Sequence, residues 1–146
     1  MRHEAFPVYS PNGRRIVYLA GDGQTSQVWI MDRHGRQQRQ LTFDTTVKDQ
    51  VPDWRPDGQK IAYQADGDIW QMNPDGTGQV NITRTPDIVE YGTAWSPDGK
   101  RIAFLNFGER VVYTMNADGT DVRAVATGLG VQFVPGWGTR PRGNKR

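Results

Sequence analysis

The sequence predicts an all-β fold of four-stranded antiparallel units, and three observations predict it. One stretch recurs in the same order: Tyr9-Ser10-Pro11-Asn12-Gly13-Arg14-Arg15-Ile16-Val17-Tyr18, Trp54-Arg55-Pro56-Asp57-Gly58-Gln59-Lys60-Ile61-Ala62-Tyr63 and Trp95-Ser96-Pro97-Asp98-Gly99-Lys100-Arg101-Ile102-Ala103-Phe104, with aromatic anchors 45 and 41 residues apart. Each copy carries Pro at the second turn position, which presets φ, and Gly at the fourth, which accepts the left-handed conformation. Finally, 17 Gly, 9 Pro and five each of Trp, Tyr and Phe suit short strands and many turns rather than a helical bundle.

Each unit reads as strands a to d. Strand a leads into the anchor at Glu4 to Tyr9, Asp49 to Trp54 and Glu90 to Trp95, and is begun a fourth time at Gln132 to Trp137. Strand b follows the turn at Arg15 to Leu19, Lys60 to Gln64 and Arg101 to Leu105. Its cation, Ile, small residue or Val, aromatic order suits a strand packed on both faces. Strand c alternates with period two at Val28 to Met31, Ile69 to Met72 and Val112 to Met115. Tight turns follow at Asp32-Arg33-His34-Gly35, Asn73-Pro74-Asp75-Gly76 and Asn116-Ala117-Asp118-Gly119, each opened by an Asx side chain and closed by Gly. Strand d closes the unit at Gln40 to Thr42, Asn81 to Thr83 and Ala124 to Ala126. Four strands per unit at this period suit β-propeller blades, whose two faces pack on neighbouring blades.

The expected organisation is a partial propeller over 1–138, with blades at about 4–42, 49–83 and 90–126, an extra innermost strand at 131–137, and a basic flexible tail at 139–146. The formal charge is +2 and the pI about 9.1. Arg140, Arg142, Lys145 and Arg146 in that tail supply the excess. A near-neutral body without a basic stripe excludes the electrostatic footprint of a nucleic-acid binder. There is no Cys, hence no disulfide or thiolate metal site. The residues from Met1 to Pro7 lack the apolar core of a secretory signal, and no apolar run approaches the ~20 residues of a membrane helix. A soluble chain with no membrane partner is expected, periplasmic if a signal was removed ahead of residue 1.

The unit resembles the WD40-like repeat of TolB-like β-propellers, in which W-S-P-D-G-K-x-I-A-F is followed by I-Y-x-M-N-x-D-G-T and L-T. The second blade matches through Trp54, Pro56, Asp57, Gly58, Ile61, Ala62, Ile69, Trp70, Met72, Asn73, Asp75, Gly76, Thr77, Ile82 and Thr83, and the third through Trp95 to Phe104, Met115 to Thr120 and Val125. The resemblance covers about residues 6 to 137. Departures are Tyr9 for Trp, Arg33-His34 in the first c–d turn, Ala126 for Thr, and Gly138-Thr139-Arg140-Pro141 where a fourth S-P-D-G would stand. The resemblance implies a binding platform with an axial tunnel, usually of six blades; relatives also gate serine peptidases or occur in sugar-active proteins.

Three blades leave two open ends. Since three divides six, two chains related by a two-fold would complete a six-bladed ring, with Phe6, Val8, Tyr9, Phe133, Val134 and Trp137 at the interface. The rival explanation is a fragment of a longer propeller. Five residues before each anchor stand Glu4, Asp49, Glu90 and Gln132, a column that would ring the tunnel and attract a basic peptide or an oxygen-liganded cation. The alternative is that these acids satisfy neighbouring backbone N–H groups. With Gln50 and Tyr91 they form the candidate binding mouth.

No resident metal or cofactor is expected, because the Asp-Gly pairs read as turns and lack the Glu that closes a calcium loop. His3 and His34 stand at no recognisable nucleophile spacing and no G-x-S-x-G occurs, so no catalytic residue is assigned. The expectation is a non-enzymatic scaffold that binds a protein or peptide and itself. Alternatives are a piece of a serine peptidase's gating propeller, its catalytic domain elsewhere, and a carbohydrate-binding propeller using Tyr91 and Phe107.

Overall fold

The computed structural model describes residues 3–22, 24–43, 50–85, 88–126 and 137. Blade 1 is β1 (His3–Tyr9), β2 (Arg15–Gly21), β3 (Ser26–Asp32) and β4 (Arg39–Gln40). Blade 2 is β5 (Gln50–Trp54), β6 (Ile61–Ala65), β7 (Asp68–Met72) and β8 (Val80–Asn81). Blade 3 is β9 (Glu90–Trp95), β10 (Arg101–Asn106), β11 (Val111–Asn116) and β12 (Arg123–Ala126). In each sheet the strands lie in chain order, and every pairing is antiparallel. No helix occurs among the described residues. The three units read from the repeat are these three sheets. Asp49 and 131–136, with Gln132, Phe133 and Val134, lie outside the described residues, as does the tail.

The turns form as their residues dictate. Gly13, Gly58 and Gly99 donate their N–H to the carbonyls of Ser10, Arg55 and Ser96 at 2.8 Å, each with positive φ. After strand c, Gly35, Gly76 and Gly119 donate to Asp32, Asn73 and Asn116. The innermost strands share one irregularity. Their ladders shift in register, and the third residue before each anchor has positive φ, at Phe6, Val51 and Gly92.

Strand d is shorter than its sequence suggests in two blades, and the reason is chemical. The Thr42 and Thr83 hydroxyls accept the N–H groups of Val28 and Ile69, at 2.9 and 3.0 Å, so a side chain takes the place of the ladder. Ala126 has no hydroxyl, and in blade 3 the backbone pairing continues to it, opposite Val112.

The core lies between blades. Val17, Leu19, Val28, Ile30 and Leu41 of blade 1 meet Trp54, Ile61, Tyr63 and Met72 of blade 2. Ala62, Ile69 and Ile82 of blade 2 meet Trp95, Ile102, Phe104 and Met115 of blade 3. Alternate residues of strands b and c therefore face opposite neighbours, which is why neither strand shows a polar face. Trp54 and Trp95 are buried, and Trp29 and Trp70 are half-buried.

Candidate functional site

The three innermost strands start on one rim, where Glu4, Gln50 and Glu90 pair with Ala20, Gln64 and Asn106. Glu4 is exposed. Glu90 is not presented to solvent, being only 1% exposed. Its Oε2 accepts the Ile69 N–H at 3.1 Å and its Oε1 lies 3.0 Å from Thr85 Oγ1. At this position the acidic column serves neighbouring backbone, the local alternative raised by the sequence, instead of forming part of an open carboxylate ring.

Thr85 Oγ1 also lies 3.1 Å from Asp68 Oδ1, which accepts the Thr85 N–H at 3.0 Å. Asp68 Oδ2 accepts from Asn81 Nδ2 at 2.6 Å. One hydroxyl proton cannot serve two ionised carboxylates well. Burial pushes the Glu90 carboxyl above its ordinary range, and the charge of Asp68 adds to the rise against hydrogen bonds from Thr83, Thr85 and Ile69. Protonation of Glu90 would supply the missing donor. Nothing in the local sequence around Thr85 signals this role, because Asp68, Thr85 and Glu90 meet only when two blades pack.

Above Glu90 opens a cleft of about 100 Å³, lined also by Ile88, Phe104, Asn106, Tyr113 and Val122. Phe104 stacks on Tyr113 at 5.7 Å between ring centroids. The Tyr113 hydroxyl donates to Glu109 Oε2 at 2.7 Å, and that bond raises its pKa. Where β9 begins and β10 has ended, half-buried Tyr91 and Phe107 form a tilted pair with ring centroids 6.4 Å apart. Phe107 and Val89 are both exposed. The loops carrying them are tied together by Phe107 N–H to Val89 O and Glu90 N–H to Gly67 O, at 2.9 and 2.8 Å. Exposed apolar side chains on a cross-linked rim can receive an apolar ligand group at little ordering cost.

The remaining candidates separate. Phe6 and Tyr9 are exposed. Val8, expected between copies, packs instead on the core between blades 1 and 2, and its carbonyl accepts the Trp54 indole N–H at 3.2 Å. Trp137 is 37% exposed and lies against blade 3. The turn acids act locally: Asp57, Asp75, Asp98 and Asp118 accept the N–H groups of Gln59, Thr77, Lys100 and Thr120. The Thr77, Ser96 and Thr120 hydroxyls hold Asp75, Asp98 and Asp118 below the usual carboxylate range. A second cleft, about 240 Å³, lies on blade 1 between Arg15, Asp32, Gln37 and Arg39. Among the described residues no three of His, Cys, Asp and Glu converge as metal ligands, and no helix is long and apolar enough to cross a membrane.

Known proteins share this architecture. The TolB beta propeller domain family matches residues 2–107. The Tol-Pal system protein TolB of Anaeromyxobacter dehalogenans (strain 2CP-1) is 38% identical over 47 residues, which is 32% of this chain and 11% of that protein. The crystal structure of TolB from Acinetobacter baumannii superposes with a TM-score of 0.71 at 19% identity, covering 84% of this chain and 32% of that one. A puromycin-hydrolyzing peptidase of Mycobacterium tuberculosis gives a TM-score of 0.74 at 16% identity, over 92% of this chain and 24% of that one. The chain thus spans a minor part of the proteins it resembles, and these structural likenesses are likenesses of fold. With three blades built on the repeat and the family match running through most of them, the chain belongs to the TolB β-propeller domain family.

Proposed function

We propose that the chain is a non-enzymatic propeller scaffold that binds a protein or peptide at the rim of the innermost strands, its ring completed by a second copy. The observation that carries the reading is the aromatic pair of half-buried Tyr91 and exposed Phe107 at the rim where the innermost strand of blade 3 begins. Aromatic anchors on a rigid rim are the usual centre of a peptide-binding surface. Glu4 adds an exposed carboxylate to the same rim, which favours ligands with a cation next to an apolar side chain. Asp49, Gln50 and Gln132 belong to this mouth by their place in the repeat.

Selection of a random peptide library on the purified chain tests the rim. Enriched peptides are expected to lose about tenfold or more in affinity for the Tyr91→Ala, Phe107→Ala double variant, as hot-spot truncations do. Binding indifferent to that change removes the rim from the proposal. Size-exclusion chromatography with light scattering tests the second copy, and a monomer at every concentration removes it.

A second reading draws on the likeness to the mycobacterial peptidase, of which the chain covers 24%. There the blades would belong to a propeller that gates a catalytic domain. A hydrolase domain encoded in the same reading frame would favour it over the scaffold.

A further inference from the structure

The seam between blades 2 and 3 differs from that between blades 1 and 2 at the places that line the cleft over Glu90. Strand b carries Tyr63 in blade 2 and Phe104 in blade 3, opposite Trp70 and Tyr113 of strand c. Past the c–d turns, Gln79 and Val122 hold one place in the repeat. On the side of blade 2 that faces blade 1, the larger groups close on one another. The Tyr63 hydroxyl donates to Gln79 Oε1 at 3.3 Å, and Gln79 Nε2 spans the seam to the Leu41 carbonyl at 3.0 Å. In blade 3, Phe104 has no hydroxyl and Val122 no amide, so neither bond can form. What remains is the cleft of about 100 Å³, one wall of which is fixed by the stack of Phe104 on Tyr113 and by the bond of the Tyr113 hydroxyl to Glu109.

The same cleft holds a hydrogen-bond donor that blade 2 lacks. Asn106 stands where blade 2 has Ala65; it lines the cleft and is 4% exposed. Its Oδ1 accepts the Glu109 N–H at 3.1 Å, which fixes the amide and turns Nδ2 away from that loop. Among the described residues no acceptor takes Nδ2. The other polar groups at the floor are engaged: the Glu90 carboxyl with the Ile69 N–H and the Thr85 hydroxyl, and the Thr83 hydroxyl with the Ile69 N–H. A buried donor without an acceptor is costly, so this amide favours a ligand that brings an oxygen to it.

We infer that the cleft seats one branched aliphatic side chain, Leu, Ile or Val, of a bound peptide whose backbone carbonyl accepts from Asn106 Nδ2. The cleft is smaller than the ~150 Å³ apolar cavity that takes benzene, which suits a branched aliphatic group better than an aromatic ring. The oxygen that the amide lacks is one that a peptide backbone carries beside every side chain. The place also fits a peptide. Glu90 and Asn106 face each other at the end of the β9–β10 ladder, and Tyr91 and Phe107 follow them in the chain. Successive strand residues point to opposite faces, so a peptide crossing these strand ends reaches both the aromatic pair and the cleft. The inference rests on the peptide-binding rim proposed above and names the side chain that it selects.

The test is a coupling measurement with peptides selected from a random library on the wild-type chain. The enriched peptides are expected to share a Leu, Ile or Val at one position. Changing that residue to Ala is expected to weaken binding to the wild type about tenfold or more, as loss of an anchor does. The same change is expected to matter about twofold or less for a Phe104→Tyr, Val122→Gln double variant, which refills the cleft with the groups blade 2 uses. Circular dichroism melts show that the variant folds, and Val122→Gln alone, at an exposed position, repeats the comparison if the double variant does not. Asn106→Asp keeps an oxygen for the Glu109 N–H and removes the donor; it is expected to bind the selected peptides about tenfold more weakly. Full binding by Asn106→Asp overturns the assigned hydrogen bond. An equal Ala penalty on both proteins, or enriched peptides that share no aliphatic residue, overturns the cleft and leaves the rim standing when Tyr91→Ala, Phe107→Ala still weakens binding. A library that yields no binder overturns the rim and the cleft together.

Discussion

The indole N–H of Trp137 donates to the carbonyl of Ala94 at 2.9 Å, and the indole N–H of Trp54 donates to the carbonyl of Val8 at 3.2 Å. Ala94 and Val8 each stand directly before an anchor, Trp95 and Tyr9. Trp137 therefore takes the place on blade 3 that an anchor takes on the blade before it. At the seam between them, Trp95 departs from the pattern. The Asp53 carboxylate accepts the Trp95 backbone N–H at 2.8 Å, and burial pushes that carboxyl above its ordinary range. The Trp95 indole N–H has no partner among the described residues.

Replacing the two indoles by Phe separates the hydrogen bond from the burial. Trp137→Phe is expected to cost about 0.5–1.5 kcal/mol, the net worth of one hydrogen bond. Trp54→Phe is expected to cost more, because Trp54 sits in the core between blades 1 and 2 and leaves a void there. Urea denaturation of both variants checks the order; an equal loss at both sites contradicts it.

Gly119→Ala is expected to destabilise by more than about 3 kcal/mol, as the new methyl would meet the Ile82 carbonyl at 2.0 Å and neither backbone can easily move. Gly35→Ala, measured at low protein concentration, is expected to cost only the ~1–2 kcal/mol of a left-handed non-glycine residue. Thermal melts of the pair measure how tightly the turn of one blade is held by the next.

Gln37→Gly is expected to stabilise the chain by about 1 kcal/mol, by releasing a side chain from the left-handed region. Gln37 has φ 54°, and the matching position in blade 2 is Gly78, with φ 63°. A shift of the urea midpoint to higher concentration checks it.

Glu90→Gln is expected to flatten the dependence of stability on pH. The folded chain holds a proton on Glu90 to higher pH than the unfolded chain does. As pH rises from the ordinary Glu range through the raised folded value, the unfolded state releases its proton first and stability falls. Gln keeps an oxygen for the Ile69 N–H and an N–H₂ for Thr85 without ionising. Denaturation from acid to neutral pH is expected to show the variant gaining on the wild type as pH rises. A parallel pair of curves would mean that Glu90 is ionised in the fold.

The blades were legible from the chain because their signals are local. Pro11, Pro56 and Pro97 with their turn glycines, and the period-two runs around Trp29, Trp70 and Tyr113, act within a few residues of themselves. Strand d was less legible: Thr42 and Thr83 read as strand residues, yet their hydroxyls replace the ladder. The acidic column is a position in the repeat, and position does not state burial. Glu4 ends in solvent, whereas Glu90 packs against blade 2, among Ile69, Thr85 and Asp68.

What the sequence determined by itself is the blade: its four strands, its turns and the number of its copies, all set by side chains acting on their own backbone. What only the tertiary structure decided is how one blade meets the next. The Asp68–Thr85–Glu90 cluster, the apolar cleft above it, and the paired contact of Gly76 with Leu41 and of Gly119 with Ile82 join residues some forty positions apart in sequence, or set loops of adjacent blades against one another. A repeat specifies each unit, but the geometry between units arises from packing, where desolvation and close approach are settled by atoms that no local pattern brings together.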